Sequence, residues 1–184
     1  MPVTVVPYSE EWPQQYEKVA NSLREMLSQV SVVAIEHVGS TSVPGLAAKP
    51  ILDIDIIVQR EHLPAAIGAL SAGGYVHLGD LGVTDREAFR PPDADPARHV
   101  YLCVDQSLHV RNYLAVRSVL RSHPGLRDAY GAVKRELADD PTMNMDLYIA
   151  GKTEILQTVL DQSELSAEDK LKILQLNANG NPTR

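Results

Sequence analysis

The chain has 184 residues, 44% of them apolar, with 24 acidic against 17 basic side chains and a net charge of −7. That length and apolar share suit a single soluble globular domain with a real core, and the acidic balance argues against a broad basic surface that would bind nucleic acid. No apolar stretch approaches membrane-spanning length, no signal peptide is read, and the single Cys103 cannot form an internal disulfide, which fits a reducing cytoplasm.

In chain order, Val3 to Val6 is a short β-prone run. Ser9 is placed to cap a helix holding Pro13 in its first turns. Trp12, Tyr16, Val19, Leu23 and Leu27 recur at three- and four-residue steps and mark its buried face. Ser31 to Val38 reads as a strand ending at Gly39. Thr41 to Pro50 is a loop, and Ile51 to Val58 is the second strand. Leu63, Ile67 and Leu70 stripe the next helix, which Gly73-Gly74 ends. Tyr75 to Leu78 starts a third strand. Residues 79–98, rich in Gly, Asp and Pro, read as a hairpin-like excursion in which Arg86 and Arg90 flank Phe89 as a candidate lid. His99 to Val104 is a further strand; Cys103 in it reads as a buried small hydrophobe. From Leu108 the pattern is helical, in three segments broken at Pro124 and Pro141. Met143, Met145 and Leu147 are expected to pack the last of these, and the tail from Asn177 to Arg184 reads as disordered. Strands with one early helix, followed by helices, predict an α+β fold: a mixed sheet with helices on one face and a C-terminal helical segment.

The chemistry concentrates in Val38-Gly39-Ser40, a loop, and Asp53-Ile54-Asp55-Ile56. Residues two apart on a strand share a face, so Asp53 and Asp55 project side by side while Ile54 and Ile56 enter the core. Two such carboxylates repel unless a cation sits between them. A hard ion such as magnesium takes oxygen ligands, commonly one or two carboxylates plus substrate phosphates. The Gly39-Ser40 turn offers backbone amides and a hydroxyl to a phosphate; a tight turn with Ser40 capping a short helix is the other reading. Lys49, the cation of the loop, reaches a phosphate or solvates the loop. His37 falls on the face of Gly39, near the site, or fills a structural role. Arg117 with Arg121, Tyr130 with Lys134, and Tyr148 with Lys152 each share a helical face. They suit a triphosphate, or make a solvated face with surface ion pairs.

The string Ile35-Glu36-His37-Val38-Gly39-Ser40-Thr41-Ser42-Val43-Pro44-Gly45-Leu46-Ala47-Ala48-Lys49-Pro50-Ile51-Leu52-Asp53-Ile54-Asp55 resembles the GrpB family, small bacterial proteins assigned to the nucleotidyltransferase superfamily. Pro7-Tyr8, Trp12-Pro13, His99, Leu114 to Arg117, Leu120 to Pro124, Tyr130 with Lys134, and Tyr148 with Lys152 extend the resemblance over roughly residues 3–162. It implies one nucleotidyltransferase-fold domain over 1–162, then a C-terminal extension over 163–184, partly helical and then disordered. It also implies a nucleoside triphosphate bound with Mg2+ (or Mn2+) on Asp53 and Asp55, and Gly39, Ser40, Thr41, Lys49, Arg117, Arg121 and Lys134 as nucleotide contacts. The acidic surface and modest size favour a small-molecule acceptor over nucleic acid. The superfamily places a third carboxylate on a later strand, but His99 to Val104 contains no acid, and Asp105 lies past its end. His99 stands there as metal ligand or general base, or as a hydrogen-bonded strand-end histidine. That departure leaves two readings: a nucleotidyltransferase, or a binding module that kept the fold without transfer.

Overall fold

The computed structural model describes residues 3–178. They form two compact units. Residues 10–38 and 51–110 hold the β-sheet; residues 3–9, 39–50 and 111–178 make a largely helical unit.

In the sheet unit, β1 (Val32–Val38), β2 (Leu52–Val58), β3 (Val76–Gly79), β4 (Arg86–Arg90) and β5 (Arg98–Val104) lie in the order β1-β2-β5-β4-β3. β2 and β5 are parallel and every other neighbouring pair is antiparallel. The α+β class with a mixed sheet is therefore the one expected. Ile54, Ile56, Val58, Val100 and Leu102 are all 0% exposed, which explains why β2 and β5 are rich in β-branched and leucine side chains. Burying each such side chain contributes roughly 1.5–3 kcal/mol. Their face is covered by α1 (Trp12–Met26), whose Tyr16 stacks on His37, the register partner of Ile54. α2 (Leu63–Ala72) packs against α1, β3 and β5, and Gly73 is its C-cap.

Two expectations change here. Glu11, not Ser9, is the N-cap of α1, because Pro13 occupies its first turn and the helix starts at Trp12. The 79–98 excursion is a hairpin as read, but β4 becomes an interior strand between β3 and β5. Arg86 is consequently buried, not part of a lid.

The helical unit contains α3 (Leu108–Ser122, from Arg111 onward), α4 (Pro124–Asp139), α5 (Met145–Gly151), α6 (Thr153–Asp161) and α7 (Ala167–Ala178). Val43, Leu46, Val119, Leu120, Tyr130 and Val159 form its core. Val6 and Ala48 exchange backbone hydrogen bonds of 2.9 and 3.0 Å, tying the N-terminal run to the 39–50 loop. More helix breaks occur than the two prolines foretold. One lies at Lys152, just after Gly151, where any Cβ would sit 2.6 Å from Leu137 Cδ2. Tyr148, not Met145 or Leu147, is the buried anchor of α5. α7 extends to Ala178, two residues into the predicted disordered tail; the remainder of that tail lies outside the described residues.

Candidate functional site

Register decides which side chains share the polar face. Across the parallel β2–β5 pair, Asp53 faces His99, Asp55 faces Tyr101, and Ile57 faces Cys103. Across β1–β2, Glu36 faces Asp55; across β4–β5, Arg86 faces Cys103. Directly paired residues point to the same side. One face of the sheet therefore carries Glu36, Asp53, Asp55, His99, Tyr101, Cys103 and Arg86, opposite the face that α1 covers.

Two aspartate–histidine pairs stand on it. His99 Nδ1 and Asp53 Oδ1 are 2.8 Å apart, with the side chains 38% and 25% exposed. His109, in the first turn of α3, places Nε2 at 3.1 Å from Asp55 Oδ2 and 3.3 Å from Oδ1. That second pair is fully buried. Tyr101 lies between the pairs, tilted against His99 at 6.2 Å and edge-on to His109 at 5.8 Å. The Arg86 guanidinium lies 4.5 Å from the Tyr101 ring centroid. Burial pushes the Cys103 thiol well above its ordinary pKa, the Asp55 charge adds to this, and Arg86 opposes it.

Asp53, Asp55 and His99 are thus brought together on one face. The two aspartates differ in access, however: Asp53 is partly open and Asp55 is closed in by His109. His37 points the other way, against Tyr16, so it is not beside the carboxylates as alternation with Gly39 had suggested. Glu36 on this face and His109 against it went unread as site residues, and Arg86 was read as part of a lid. Glu36 supplies a third carboxylate from β1 where β5 has none. Glu36, Asp53 and Asp55 put oxygen donors of the kind a hard divalent ion takes on this face by register, with Asp53 engaged through Oδ1 and Glu36 half-buried. The three ligand atoms that converge within 4.8 Å among the described residues belong to Asp55, Cys103 and His109.

The remaining predicted residues belong to the helical unit. Gly39 has φ 68° and ψ −173° and caps a 3-10 turn, Ser40–Ser42, closed by Ser42 Oγ donating to the Gly39 carbonyl at 2.6 Å. Thr41 is buried. Arg121 donates from Nε and Nη2 to the Ser42 carbonyl at 3.1 and 2.6 Å, which fixes the turn. Lys49 lies 3.6 Å from Met145 Sδ and 5.8 Å from the Tyr148 ring, which Lys152 also meets at 4.6 Å. Lys134 is buried over the Tyr130 ring at 4.4 Å. Arg117 is half-buried on α3. No helix among the described residues is long and apolar enough to cross a membrane.

Known proteins place the chain in a family. The GrpB protein family model matches residues 2–162. The chain is 29% identical over 179 residues to the UPF0157 protein YqkA of Bacillus subtilis, spanning 97% of itself and 50%, about half, of that relative. It is 33% identical over 165 residues to a UPF0157 protein of Pseudomonas aeruginosa, spanning 88% of itself and 67% of the other. Its fold is similar to the crystal structure of conserved protein GrpB from Enterococcus faecalis, with a TM-score of 0.74 at 31% identity, covering 86% of this chain and 98% of that one. With the family model matching most of its length and the fold shared with a solved relative, the chain belongs to the GrpB family.

Proposed function

We propose that the chain is a metal-dependent, nucleotidyltransferase-like protein of the cytoplasm. It would bind a nucleoside triphosphate with magnesium (or manganese) and transfer a nucleotidyl group to a small-molecule acceptor. The observation that carries this reading is the Asp53–His99 pair on a partly open face that also bears Asp55 and Glu36.

Asp53 and Asp55 would hold the ion, with Glu36 as third carboxylate; when bound, it neutralises charge on the phosphate oxygens. The chain's own residues handle the proton. Asp53 accepts from His99 Nδ1–H, which orients the ring and leaves the lone pair on Nε2. Nε2 takes the proton of an acceptor hydroxyl as its oxygen bonds to the α-phosphorus and pyrophosphate leaves. The exposure of His99 leaves room for that acceptor. Gly39, Ser40, Thr41, Lys49, Arg117, Arg121 and Lys134 keep the phosphate-binding role as part of the proposal, each open to substitution within the helical unit.

A second reading, a nucleotide- or metabolite-binding module without transfer, is favoured by one observation: both Asp55 oxygens already face His109 Nε2. Calorimetric titration of each nucleoside triphosphate with and without magnesium, on wild type and Asp53→Asn, tests both. Magnesium-dependent binding that Asp53→Asn abolishes, with pyrophosphate released in an acceptor screen, supports transfer. Binding without release supports the module. No binding of any triphosphate sinks the nucleotide reading in both forms and leaves a fold retained for some other ligand.

A further inference from the structure

Asp55, Cys103 and His109 each offer one ligand atom, all within 4.8 Å of one another, and all three side chains are buried. They come from three separately anchored elements: interior strand β2, interior strand β5, and the first turn of α3. From this juxtaposition we propose a transition-metal site, made for a borderline-soft divalent ion with zinc foremost, held by the Asp55 carboxylate, Cys103 Sγ and His109 Nε2. The inference goes beyond the nucleotide reading and does not depend on it, although both draw on Asp55.

The donor chemistry separates this site from a magnesium site. Magnesium asks for an octahedron of oxygens, whereas zinc takes sulfur, nitrogen and carboxylate oxygen in a tetrahedron. Three protein ligands leave the fourth position for a water or another oxygen donor. Asp55 needs only one of its two oxygens for the ion.

Arg86 is the second, independent observation. It is 3% exposed, and its Nε and Nη1 are buried without a hydrogen-bond partner. Two unmet donors on a buried cation are costly. Arg86 is the register partner of Cys103. A neutral thiol accepts poorly, but a metal-bound thiolate carries a negative charge and accepts well. Metal binding would therefore release the Cys103 proton to solvent, place Sγ on the metal, and give Arg86 an anionic partner. Aspartate and thiolate together cancel the dication, so the buried site gains no net charge from the ion and its ligands. Because the ligands are enclosed, the ion enters as the chain folds.

Cobalt(II) is the probe. The full chain is unfolded, stripped with chelator and refolded with Co2+, without nucleotide. We expect one bound equivalent, with a thiolate-to-cobalt charge-transfer band in the near ultraviolet and tetrahedral d–d bands, displaced by Zn2+ and not by Mg2+. Cys103→Ser should lose the charge-transfer band, and His109→Ala should weaken binding by about ten-fold or more, roughly 1.4 kcal/mol. Asp53→Asn should leave the spectrum unchanged, which separates this site from the nucleotide site. Near-ultraviolet circular dichroism confirms that each variant is folded. A folded wild type with no charge-transfer band, or a band that survives Cys103→Ser, overturns the proposal.

Discussion

Asp53 and His99 are register partners on adjacent parallel strands, and their side chains meet at 2.8 Å. The backbone ladder thus sets the pair, and neither side chain has to reach. A carboxylate held against Nδ1 fixes which ring nitrogen is basic. If His99 is the base, Asp53→Asn and His99→Ala should each cut nucleotidyl transfer by about 100-fold or more. Because the pair is partly exposed, thermal melting should show a stability loss below about 1 kcal/mol. A large drop in melting temperature with either variant would mean that the pair is structural.

The buried Asp55–His109 pair should behave differently. Removing one partner strands the other away from water. His109→Leu, which leaves the Asp55 charge alone, should cost about 3–5 kcal/mol by urea unfolding. Asp55→Leu/His109→Leu together should cost less than His109→Leu alone, since two apolar groups leave nothing unpaired. Simple additivity of the two single changes would contradict the coupling.

Gly39 has φ 68° and ψ −173°, a region that L side chains rarely enter. Gly39→Ala should destabilise by about 1–3 kcal/mol. The check is the urea midpoint against an alanine at Ser40, which should be milder.

Arg98 donates to Asp93 from Nη1 and Nη2, at 2.7 and 3.0 Å. That bond holds the Asp93 carboxyl below its ordinary value of 3.8. A depressed acid stabilises the fold above the unfolded-state pKa, and the contribution disappears as pH falls through the folded-state value. Melting temperature measured downward from about pH 5 should therefore fall less steeply in Asp93→Asn than in wild type. Parallel slopes would show that the pair contributes nothing.

Local pattern made part of this legible. Alternation in Leu52 to Val58 placed two aspartates together opposite an isoleucine row, and apolar surroundings marked Cys103 as buried. What stayed hidden depends on register between distant segments. Glu36 shares the Asp55 face only because β1 pairs with β2 in one particular frame, and a loop of that length does not reveal the frame. Arg86 reads as a loop arginine until β4 is seen inside the sheet. His109 lies 54 residues from Asp55 and carries no local sign of its partner. The same frame that places His37 against Tyr16 removes it from the acidic face.

The parallel pairing of β2 with β5 also sets an order of events. Parallel neighbours cannot be joined by a tight turn, and Asp53 lies 46 residues before His99. The intervening segment must close as a loop before the ladder rewards it. On a growing chain, β1 and β2 emerge with their acids in place but with no imidazole opposite. Until β5 has been made and docked, the row of carboxylates is a repulsive surface with no imidazole beside it. Its last strand to be synthesised is the one that turns it into a site.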